Sequence, residues 1–331
     1  MKASPLPALE RARAQDLAAR FSTRSVLVIG DVMLDQFLIG RVTRISPEAP
    51  VPIIQFGRME NRVGGAANVA HNLVALGGRA VLVGLVGRDQ AASTLSDGLR
   101  DHRIGAEHLV VDPERPTTTK VRVVTDRYQQ VARIDYEEDD EAAGAIETAL
   151  VDHASRLAAE SGAIVVSDYL KGTVTRRLVG EMATIARDRG IPLLVDPKIP
   201  HLEYYEGASL VTPNHHEAEI ATHMRIRTDE EAARAARAFR TRASCAGVLV
   251  TRGEQGMWVL DGDVEGALPA TAREVADVTG AGDTVIATLA LALAAGATTA
   301  EAARLANHAA GLVVGKFGPA TVSPEELLAE V

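Results

Sequence analysis

The stretch from Asp277 to Ala295 reads Asp-Val-Thr-Gly-Ala-Gly-Asp-Thr-Val-Ile-Ala-Thr-Leu-Ala-Leu-Ala-Leu-Ala-Ala. Its second half has no polar face, so we expect a helix that is buried on all sides. Gly280, Ala281 and Gly282 leave the backbone N–H groups at the start of this helix accessible, and free N–H groups together with the helix dipole favour an anion. The stretch therefore predicts a buried helix whose N-terminus holds a phosphate.

Asp283 stands in the first turn of the same helix. A carboxylate beside an anion hole can orient a substrate hydroxyl and accept its proton, as in other phosphoryl-transfer enzymes. A lone Gly-x-Gly-Asp is more often a glycine-rich turn with an aspartate cap. The buried helix that follows shifts the balance, so we assign a catalytic group of four residues: Gly280, Ala281, Gly282 and Asp283.

The composition is that of a globular α/β protein. Of 331 residues, 47% are hydrophobic and 24% charged, which suits one large α/β domain with an insertion. A net charge of -9 argues against a general nucleic-acid partner. The apolar run from Val285 to Ala295 is too short to cross a bilayer. The segment after Met1–Pro5 has no secretory signal core, and the single Cys245 fits a reducing compartment. We expect a cytoplasmic protein without a membrane partner.

Apolar runs that suit buried strands alternate with helical patterns along most of the chain. The runs lie at 25–30, 80–85, 163–167, 192–195, 209–211 and 247–250, and the helical patterns at 8–21, 64–76, 140–159, 174–189, 215–222 and 229–242. Such alternation predicts a doubly wound, mainly parallel sheet flanked by helices. Ligands bind such sheets at the carboxyl ends of the strands.

Two segments interrupt the alternation. Residues 36–63 hold short extended runs broken by prolines, and residues 115–136 read as a hairpin around a polar turn. We join them into one small β-sheet, called the lid, and assign 1–35, 64–114 and 137–331 to the large domain. Basic residues outnumber acidic ones in both lid segments, which indicates an anionic substrate. An exposed sheet edge guarded by Lys and Arg explains the same excess.

Other candidates combine glycines with polar residues near strand ends. Asp31 and Asp35 fit ligand contacts or turn caps equally well, whereas the pair Gly64 and Gly65 permits close backbone approach to a ligand. The loop from Thr251 to Gly256 can wrap phosphates, form a hairpin, or do both. Asn-x-x-Glu at 214–217 fits a capping box, or a pair that supports metal-bound phosphate through water.

In combination these motifs resemble the ribokinase-type (PfkB) sugar kinases along nearly the whole chain. The resemblance rests on Gly64-Gly65 after a β excursion, Gly84-Leu-Val-Gly-Arg-Asp89, Asn214-x-x-Glu217, Thr251-Arg-Gly-x-x-Gly256 and Asp277-Val-Thr-Gly-Ala-Gly-Asp283. A heptose 7-phosphate branch of that family is indicated by Gly30-Asp-Val-Met-Leu-Asp35, Arg44-Ile-Ser-Pro-Glu-Ala-Pro-Val-Pro52, Ser167-Asp-Tyr-Leu-Lys-Gly172, Asp196-Pro-Lys198 and Gly315-Lys-Phe-Gly-Pro-Ala-Thr-Val-Ser-Pro324.

This resemblance implies ATP- and Mg²⁺-dependent phosphorylation of the anomeric O1 of D-glycero-β-D-manno-heptose 7-phosphate. The 1,7-bisphosphate produced would serve ADP-heptose and lipopolysaccharide synthesis. A monovalent cation is a further expected cofactor, and lids paired across a homodimer are expected as well. Two alternatives stay open: another sugar, sugar phosphate or nucleoside as acceptor, and a non-catalytic nucleotide- or sugar-binding regulator.

The resemblance also implies roles for individual residues. Asp283 takes the O1 proton while the amides of residues 280–282 hold the transferred group. Water-mediated magnesium binding is implied for Asn214 and Glu217. Sugar binding is implied for Asp35, Gly64, Gly65 and Asn68, and binding of the 7-phosphate for Lys120, Arg122, Arg133 and Lys171. Nucleotide contacts are implied for Asn214, Glu217, Thr251, Gly253, Gly256 and Asn307.

Overall fold

The structure is a computed structural model of the chain and describes residues 6–271, 275–316 and 320–331. The N-terminal Met1–Pro5 segment lies outside the described residues. So do residues 317–319, the centre of the Gly315–Pro324 motif.

Helices and strands alternate along the described chain, as predicted. The strands are β1 (Ser25–Gly30), β2 (Val32–Ile45), β3 (Pro52–Gly65), β4 (Arg79–Val86), β5 (Leu109–Val111), β6 (Thr119–Thr125), β7 (Gln130–Tyr136), β8 (Ala163–Ser167), β9 (Leu193–Asp196), β10 (Leu210–Val211), β11 (Gly247–Thr251), β12 (Met257–Asp261) and β13 (Val264–Leu268). The helices are α1 (Arg11–Phe21), α2 (Ala66–Ala75), α3 (Gln90–Asp101), α4 (Gly144–Ala158), α5 (Arg176–Arg189), α6 (His215–Thr222), α7 (Asp229–Ala243), α8 (Ala281–Ala294), α9 (Thr299–Val313) and α10 (Pro324–Ala329).

The described residues form a large sheet in the order β13-β12-β11-β10-β9-β8-β1-β4-β5. Neighbours from β5 to β11 run parallel, and at the other end of the sheet β12 pairs antiparallel with both β11 and β13. This confirms the predicted mainly parallel sheet. The chain runs from β1 out to β5 and then returns to β8 on the other side of β1. The reversal opens a crevice at the carboxyl ends of β1 and β8, where such sheets bind ligands.

Both faces of the sheet are buried. Along β1, Val26 and Val28 enter the core layer with α1, α2, α3, α8, α9 and α10, whereas Leu27 and Ile29 enter the layer with α4, α5, α6 and α7. Successive strand side chains point to opposite faces, so a strand covered on both sides must be apolar throughout. This is why the continuous apolar runs predicted the strands correctly.

Helix α8 is the most enclosed helix among those described. Every residue from Asp283 to Ala292 is buried, and the helix packs against α2, α9 and β8. The prediction of a helix buried on all sides is confirmed. Its N-terminus is thereby fixed at the crevice. None of the helices in the described ranges is both long enough and apolar enough to cross a bilayer.

A second sheet has the order β3-β2-β6-β7. Strands β6 and β7 form the predicted hairpin, and β2 pairs with β6 in parallel, which joins the two predicted segments. This small sheet grows directly from the large one, because β2 begins at Val32 and β1 ends at Gly30. The domain boundaries given above stay a prediction.

Some element bounds differ from the sequence analysis. The helix expected to open at Gly64 begins at Ala66, because Gly64 and Gly65 still belong to β3. Gly65 has a φ of 57°, which no helix continues through. Helix α3 and strand β5 have no counterpart among the predicted elements. Helix α3 exposes most of its surface and buries only Leu95 and Leu99, so its apolar signal is sparse.

Candidate active site

Helix α8 begins with backbone that is open to the crevice. Gly280 is the N-cap, with a φ of 79°, and makes no side-chain cap hydrogen bond. A Cβ added to Gly282 would have no neighbouring atom within 4 Å. Glycine in a helix costs about 1 kcal/mol relative to alanine, and protein packing does not require it here. The open space beside Gly282 is therefore available to a ligand.

The Asp283 carboxylate is held by two side chains. Asn68 Nδ2 donates to its Oδ2 at 2.7 Å, and the Tyr169 hydroxyl donates to its Oδ1 at 2.8 Å. Burial raises the pKa of Asp283 to about 6, while these two hydrogen bonds lower it and the nearby Asp35 charge raises it. The carboxylate is fixed in orientation and has a pKa close to neutral, as a general base requires.

Asp35 forms the neighbouring wall of the crevice. Its Oδ1 accepts a hydrogen bond from Arg122, and a Cβ added to Gly64 would lie 2.5 Å from its Oδ2. A Cβ on Gly65 would collide with the carbonyl of Asp31. The two glycines are therefore required by the close approach of β3 to the carboxylate of Asp35 in β2 and to the backbone carbonyl of Asp31, which lies between β1 and β2. The structure brings Asp35, Gly64, Gly65, Asn68 and Asp283 together.

Asp31 has a structural role. It is 1% exposed, and its carboxylate accepts backbone N–H groups from three residues of the loop after β8, Tyr169, Lys171 and Thr173, at 2.7–3.0 Å. Burial raises the pKa of Asp31, and these hydrogen bonds oppose the rise. Of the two interpretations left open for this residue, the structure supports the turn-organising one.

A cavity of about 260 Å³ lies on the other side of α8. Its lining includes four of the six predicted nucleotide residues, Thr251, Gly253, Gly256 and Asn307, together with Ala281 and Gly282. The Thr251–Gly256 loop also closes a hairpin, since it connects the antiparallel strands β11 and β12. Both interpretations of the Thr251–Gly256 loop are therefore compatible with the structure.

A second cavity, of about 180 Å³, connects this pocket to the crevice. It shares Thr251 and Gly282 with the first cavity, and its lining also includes Tyr169, Asp196, Lys198, Asn214 and Glu217. Tyr169 contacts Asp283, so the two cavities and the carboxylate form one continuous site.

Asn214 and Glu217 form a true capping box at the start of α6. Asn214 Oδ1 accepts the Glu217 N–H at 3.0 Å, and Glu217 Oε2 accepts the Asn214 N–H at 2.9 Å. Glu217 Oε1 also accepts a hydrogen bond from Lys198 Nζ at 2.5 Å. The capping interpretation is confirmed. Both side chains nevertheless face the second cavity, so a binding role is compatible with it.

The four cations predicted to bind the 7-phosphate lie on or beside the small sheet, and each is paired with a carboxylate. Lys120 and Lys171 both contact Glu137, at 2.9 and 3.0 Å, whereas Arg122 contacts Asp35. Arg133 is paired with Asp135 at 2.9 Å, and its side chain is 49% exposed. Arg122 thus lies beside Asp35 at the crevice, Lys120 and Lys171 share one carboxylate, and Arg133 is the most exposed of the four.

Three residues at the crevice have no role among the sequence-based predictions: Tyr169, Asp196 and Lys198. All three follow or end a strand whose carboxyl end faces the crevice, and Ser167 of β8 pairs with Asp196 of β9 in register. The rule that ligands bind at strand ends was sufficient to select them. The rule does not say which side chains turn toward the cavity.

A model of the pfkB family carbohydrate kinases matches residues 23–326. The chain therefore belongs to the pfkB family of carbohydrate kinases, whose members are sugar kinases that use ATP. The fold and the continuous site described above agree with that class.

Curated relatives narrow the comparison. The Bifunctional protein HldE of Geobacter sulfurreducens is 45% identical over 321 residues, which cover 97% of this chain and 65% of the relative. The Bifunctional protein HldE of Azorhizobium caulinodans is 48% identical over 307 residues, covering 92% of this chain and 64% of the relative. The chain thus spans slightly less than two thirds of the length of these relatives.

Solved structures confirm the ribokinase-like fold. Arabidopsis thaliana ribokinase complexed with ribose and ATP superposes with a TM-score of 0.74 at 20% identity, covering 93% of this chain and 98% of that one. Escherichia coli phosphofructokinase-2 in complex with potassium gives 0.73 at 18% identity, covering 92% and 97%.

Replacing Gly282 by leucine tests whether the open space at α8 receives the nucleotide. The side chain would fill the region shared by the two cavities, so we expect Gly282→Leu to weaken ATP binding by about tenfold or more, or about 1.4 kcal/mol. The Gly282→Leu variant should retain the thermal stability of the wild type, since leucine is a better helix former than glycine. Isothermal titration with Mg-ATP and a thermal melt measure both quantities.

Gly180→Leu is the matched control. Gly180 is an exposed glycine within α5, and a Cβ added there also has no neighbour within 4 Å. The ATP affinity of this variant should equal that of the wild type. Unchanged ATP affinity in Gly282→Leu would exclude the space beside α8 as the nucleotide site.

Proposed function

We propose that this chain is a kinase that transfers the γ-phosphoryl group of ATP to the anomeric O1 of D-glycero-β-D-manno-heptose 7-phosphate. The observation that carries the proposal is the buried Asp283 carboxylate at the N-terminus of α8, between the nucleotide cavity and the wall formed by Asp35 and Asn68. The acceptor is inferred from the similarity to the HldE relatives and from the heptose-type motifs. Because the phosphoryl donor is ATP, we place the reaction in the cytoplasm.

Asp283 acts as the general base in this proposal. The acceptor oxygen forms a bond to the γ-phosphorus, the bond from that phosphorus to the bridging oxygen breaks, and ADP leaves with the electron pair. The proton of the acceptor hydroxyl passes to Asp283. Each carboxylate oxygen already accepts one hydrogen bond and keeps a second acceptor site, so a substrate hydroxyl can be bound as well.

The amides of Gly280, Ala281 and Gly282 would hold the transferred group as its charge develops. Asn214 and Glu217 present one amide and one carboxylate to the cavity, which suits a magnesium ion that keeps most of its water. That ion would neutralise phosphate charge when bound. A monovalent cation is proposed as a further cofactor, supported by the potassium complex of phosphofructokinase-2.

Asp35, Gly64, Gly65 and Asn68 would form the sugar subsite. Asn68 is 3% exposed, and its Oδ1 has no hydrogen-bond partner among the described residues. Buried polar atoms rarely stay unpaired, so this oxygen is suited to accept a hydrogen bond from a sugar hydroxyl. Asp35 would accept one from a second hydroxyl, as carboxylates facing polyols do.

Lys120, Arg122, Arg133 and Lys171 would bind the 7-phosphate. Lys120 and Lys171 converge on the single carboxylate of Glu137 from two different segments. A phosphate placed near that carboxylate would meet both ammonium groups, and charge-assisted hydrogen bonds to phosphate are among the strongest in proteins.

We also propose that residues 36–63 and 115–136 act as a lid on a large domain of residues 1–35, 64–114 and 137–331. Residues in register on neighbouring strands share a face of a sheet. One face of the small sheet carries Asp35, Arg62, Lys120, Arg122 and Arg133, which are charged and include the residues that contact the crevice.

The opposite face of the small sheet is apolar and open. Phe56, Met59, Ile134 and Tyr136 lie on it and are each about half exposed or more, at 64%, 51%, 49% and 54%. Exposed apolar surface of this kind marks a contact site. A second copy of the chain, presenting the same face, would cover it, so we propose a homodimer formed through the lid.

An acceptor assay tests the proposed reaction. The wild type should release ADP with heptose 7-phosphate, and much less with the unphosphorylated heptose or ribose, because the basic residues of the lid favour binding of the distal phosphate. Fructose 6-phosphate also carries a distal phosphate, so its turnover tests the sugar subsite instead. Asp283→Asn should lower kcat by about a thousandfold or more while ATP affinity is kept, because general-base removal affects the transition state.

Asp263→Asn is the control for the removal of a charge, since Asp263 is exposed in the turn between β12 and β13. The kcat and the ATP affinity of this variant should match those of the wild type. Turnover with another acceptor alone would replace the heptose assignment, and a complete lack of ADP release would support a nucleotide- or sugar-binding regulator instead.

The pKa of Asp283 predicts the pH dependence of this reaction. The base must be ionised, so kcat/KM should fall as pH drops through about 6, the value to which burial raises the pKa of Asp283. Tyr169→Phe removes a hydrogen bond that lowers this pKa, and the acidic limb should therefore move to higher pH. A pH series of kcat/KM for both proteins measures the shift.

The other groups that act on Asp283 are Asn68, Asp35 and Lys198, and all of them stay in place in this variant. Tyr128→Phe is the matched control, because Tyr128 is exposed and bonds Arg58 on the small sheet. An acidic limb that stays where it is in Tyr169→Phe would remove Asp283 as the group whose ionisation controls the rate.

Sedimentation velocity tests the proposed dimer. The wild type should sediment as a dimer, and the double variant Met59→Asp/Ile134→Asp should sediment as a monomer, because two charges would be buried at the contact. Ile220→Asp is the control, since Ile220 is 62% exposed on α6, away from the small sheet. A wild type that is monomeric at every concentration would contradict the lid contact.

A further inference from the structure

Lys198 places an ammonium group between the nucleotide cavity and Asp283. It follows β9 and lines the second cavity together with Asn214, Glu217 and Gly282. Gly282 lines the nucleotide cavity as well. A phosphoryl group that passes from the nucleotide cavity to an acceptor beside Asp283 would therefore pass Lys198.

The contacts of Lys198 hold its side chain in this position. Nζ donates to Glu217 Oε1 at 2.5 Å and to the carbonyl of Pro197 at 3.0 Å. It also lies 5.5 Å from the centroid of the Tyr169 ring, over its face, which is a favourable position for a cation. Tyr169 donates to Asp283, so one side chain separates the ammonium group from the proposed base.

The charges around this cavity make a cation necessary for an incoming phosphate. The negative charges of Asp283, Glu217 and Asp168 all raise the pKa of Asp196, which lines the cavity. Among the described residues, Lys198 is the basic residue in the cavity lining. Burial raises the pKa of Asp196 to about 8, against the opposing effect of Lys198. Negative groups repel a phosphoryl group strongly when they are buried, and the ammonium group offsets this repulsion.

We propose that Lys198 is a catalytic residue whose ammonium group contacts the γ-phosphoryl group during transfer. The proposal rests on the kinase reaction proposed above. Lys198 exchanges no proton in the step: the new bond from the acceptor oxygen to phosphorus forms, the bond to the bridging oxygen breaks in favour of ADP, and Asp283 takes the proton. The ammonium group neutralises the charge on the phosphoryl oxygens.

Glu217 has a second part in this proposal. Before the nucleotide binds, its Oε1 is the partner of Lys198, and the backbone N–H of Asn214 occupies its Oε2. When the γ-phosphate reaches Lys198, the ammonium group can turn to the stronger charge, which leaves Oε1 free to accept from water. The ion pair between Lys198 and Glu217 thus keeps both side chains in place until the nucleotide binds.

The experiment compares ATP with ADP, because the two differ by the group that Lys198 would contact. In Lys198→Met, the Kd for ATP should rise about tenfold or more, whereas the Kd for ADP should change by less than about twofold. The kcat should fall about a hundredfold or more, as expected for loss of a group that stabilises transferring charge. The KM for the sugar should change little. Titration calorimetry and ADP-release kinetics on the full chain give these values.

Lys198→Gln decides the question if the methionine variant does not fold, because an amide still donates to Glu217 without a charge. It should show the same selective loss for ATP, and Lys198→Arg should restore part of it. Equal losses for ATP and ADP would mean that Lys198 only fixes Glu217, and no loss for either would mean that it does not contact the nucleotide. Each of these results would overturn the proposal.

Arg177→Met is the matched control, since Arg177 is exposed on α5 and paired with Glu147 at 3.5 Å. It should bind both nucleotides like the wild type. The ratio of the two affinities needs no acceptor, so it decides the role of Lys198 even if heptose 7-phosphate is not phosphorylated. Conversely, heptose turnover with an unchanged ratio would overturn the role of Lys198 and leave the proposed reaction intact.

Discussion

The buried carboxylate of Asp31 is the contact on which the rest of the site depends. It follows β1 and accepts three backbone N–H groups from the loop after β8, so it ties the carboxyl ends of the two strands where the sheet reverses its winding. That loop carries Tyr169, which contacts Asp283 at the start of α8. The position of the proposed base is therefore set by a group that does not itself face the ligand. A buried charge of this kind is stable because each of its hydrogen bonds is satisfied by backbone that cannot move independently.

The site concentrates acidic groups and must still receive anionic ligands. Asp35, Asp168 and Asp283 are each less than a tenth exposed. Arg122 pairs with Asp35, and His201 contacts Asp168. In the proposed mechanism, phosphate would be neutralised by the N-terminus of α8, by Lys198 and by the cations of the small sheet, which are themselves held by carboxylates. Such pairs keep the cations in place, and an incoming phosphate would replace a carboxylate rather than water.

The sequence predicts the fold well where burial dictates composition. The predicted strands Ser25–Gly30 and Ala163–Ser167 match the observed bounds to the residue, because strands covered on both faces are apolar throughout. The predictions are less accurate where backbone conformation decides, as at Gly65, or where an exposed helix leaves a weak pattern, as in α3. In the candidate site, glycine motifs and strand ends select segments that the structure brings together around the crevice. The contact between Tyr169 and Asp283 joins residues 114 positions apart, and no local pattern encodes it. The strand-end rule places Lys198 near the crevice, but it does not encode which side chains face the cavity.

Strand β2 is 14 residues long and carries Asp35 near its base, only a few residues after Asp31. A strand rises about 3.3 Å per residue, so its tip lies far beyond the crevice, while its base is continuous with β1. If the strand tilts about its base, each residue therefore moves in proportion to its distance from the base. A tilt of the strand at Asp31 displaces the tip several times farther than Asp35, so a molecule that restrains the tip also limits the movement of Asp35. The position of Asp35 can thus be made precise at a distance, by contacts that never approach this residue.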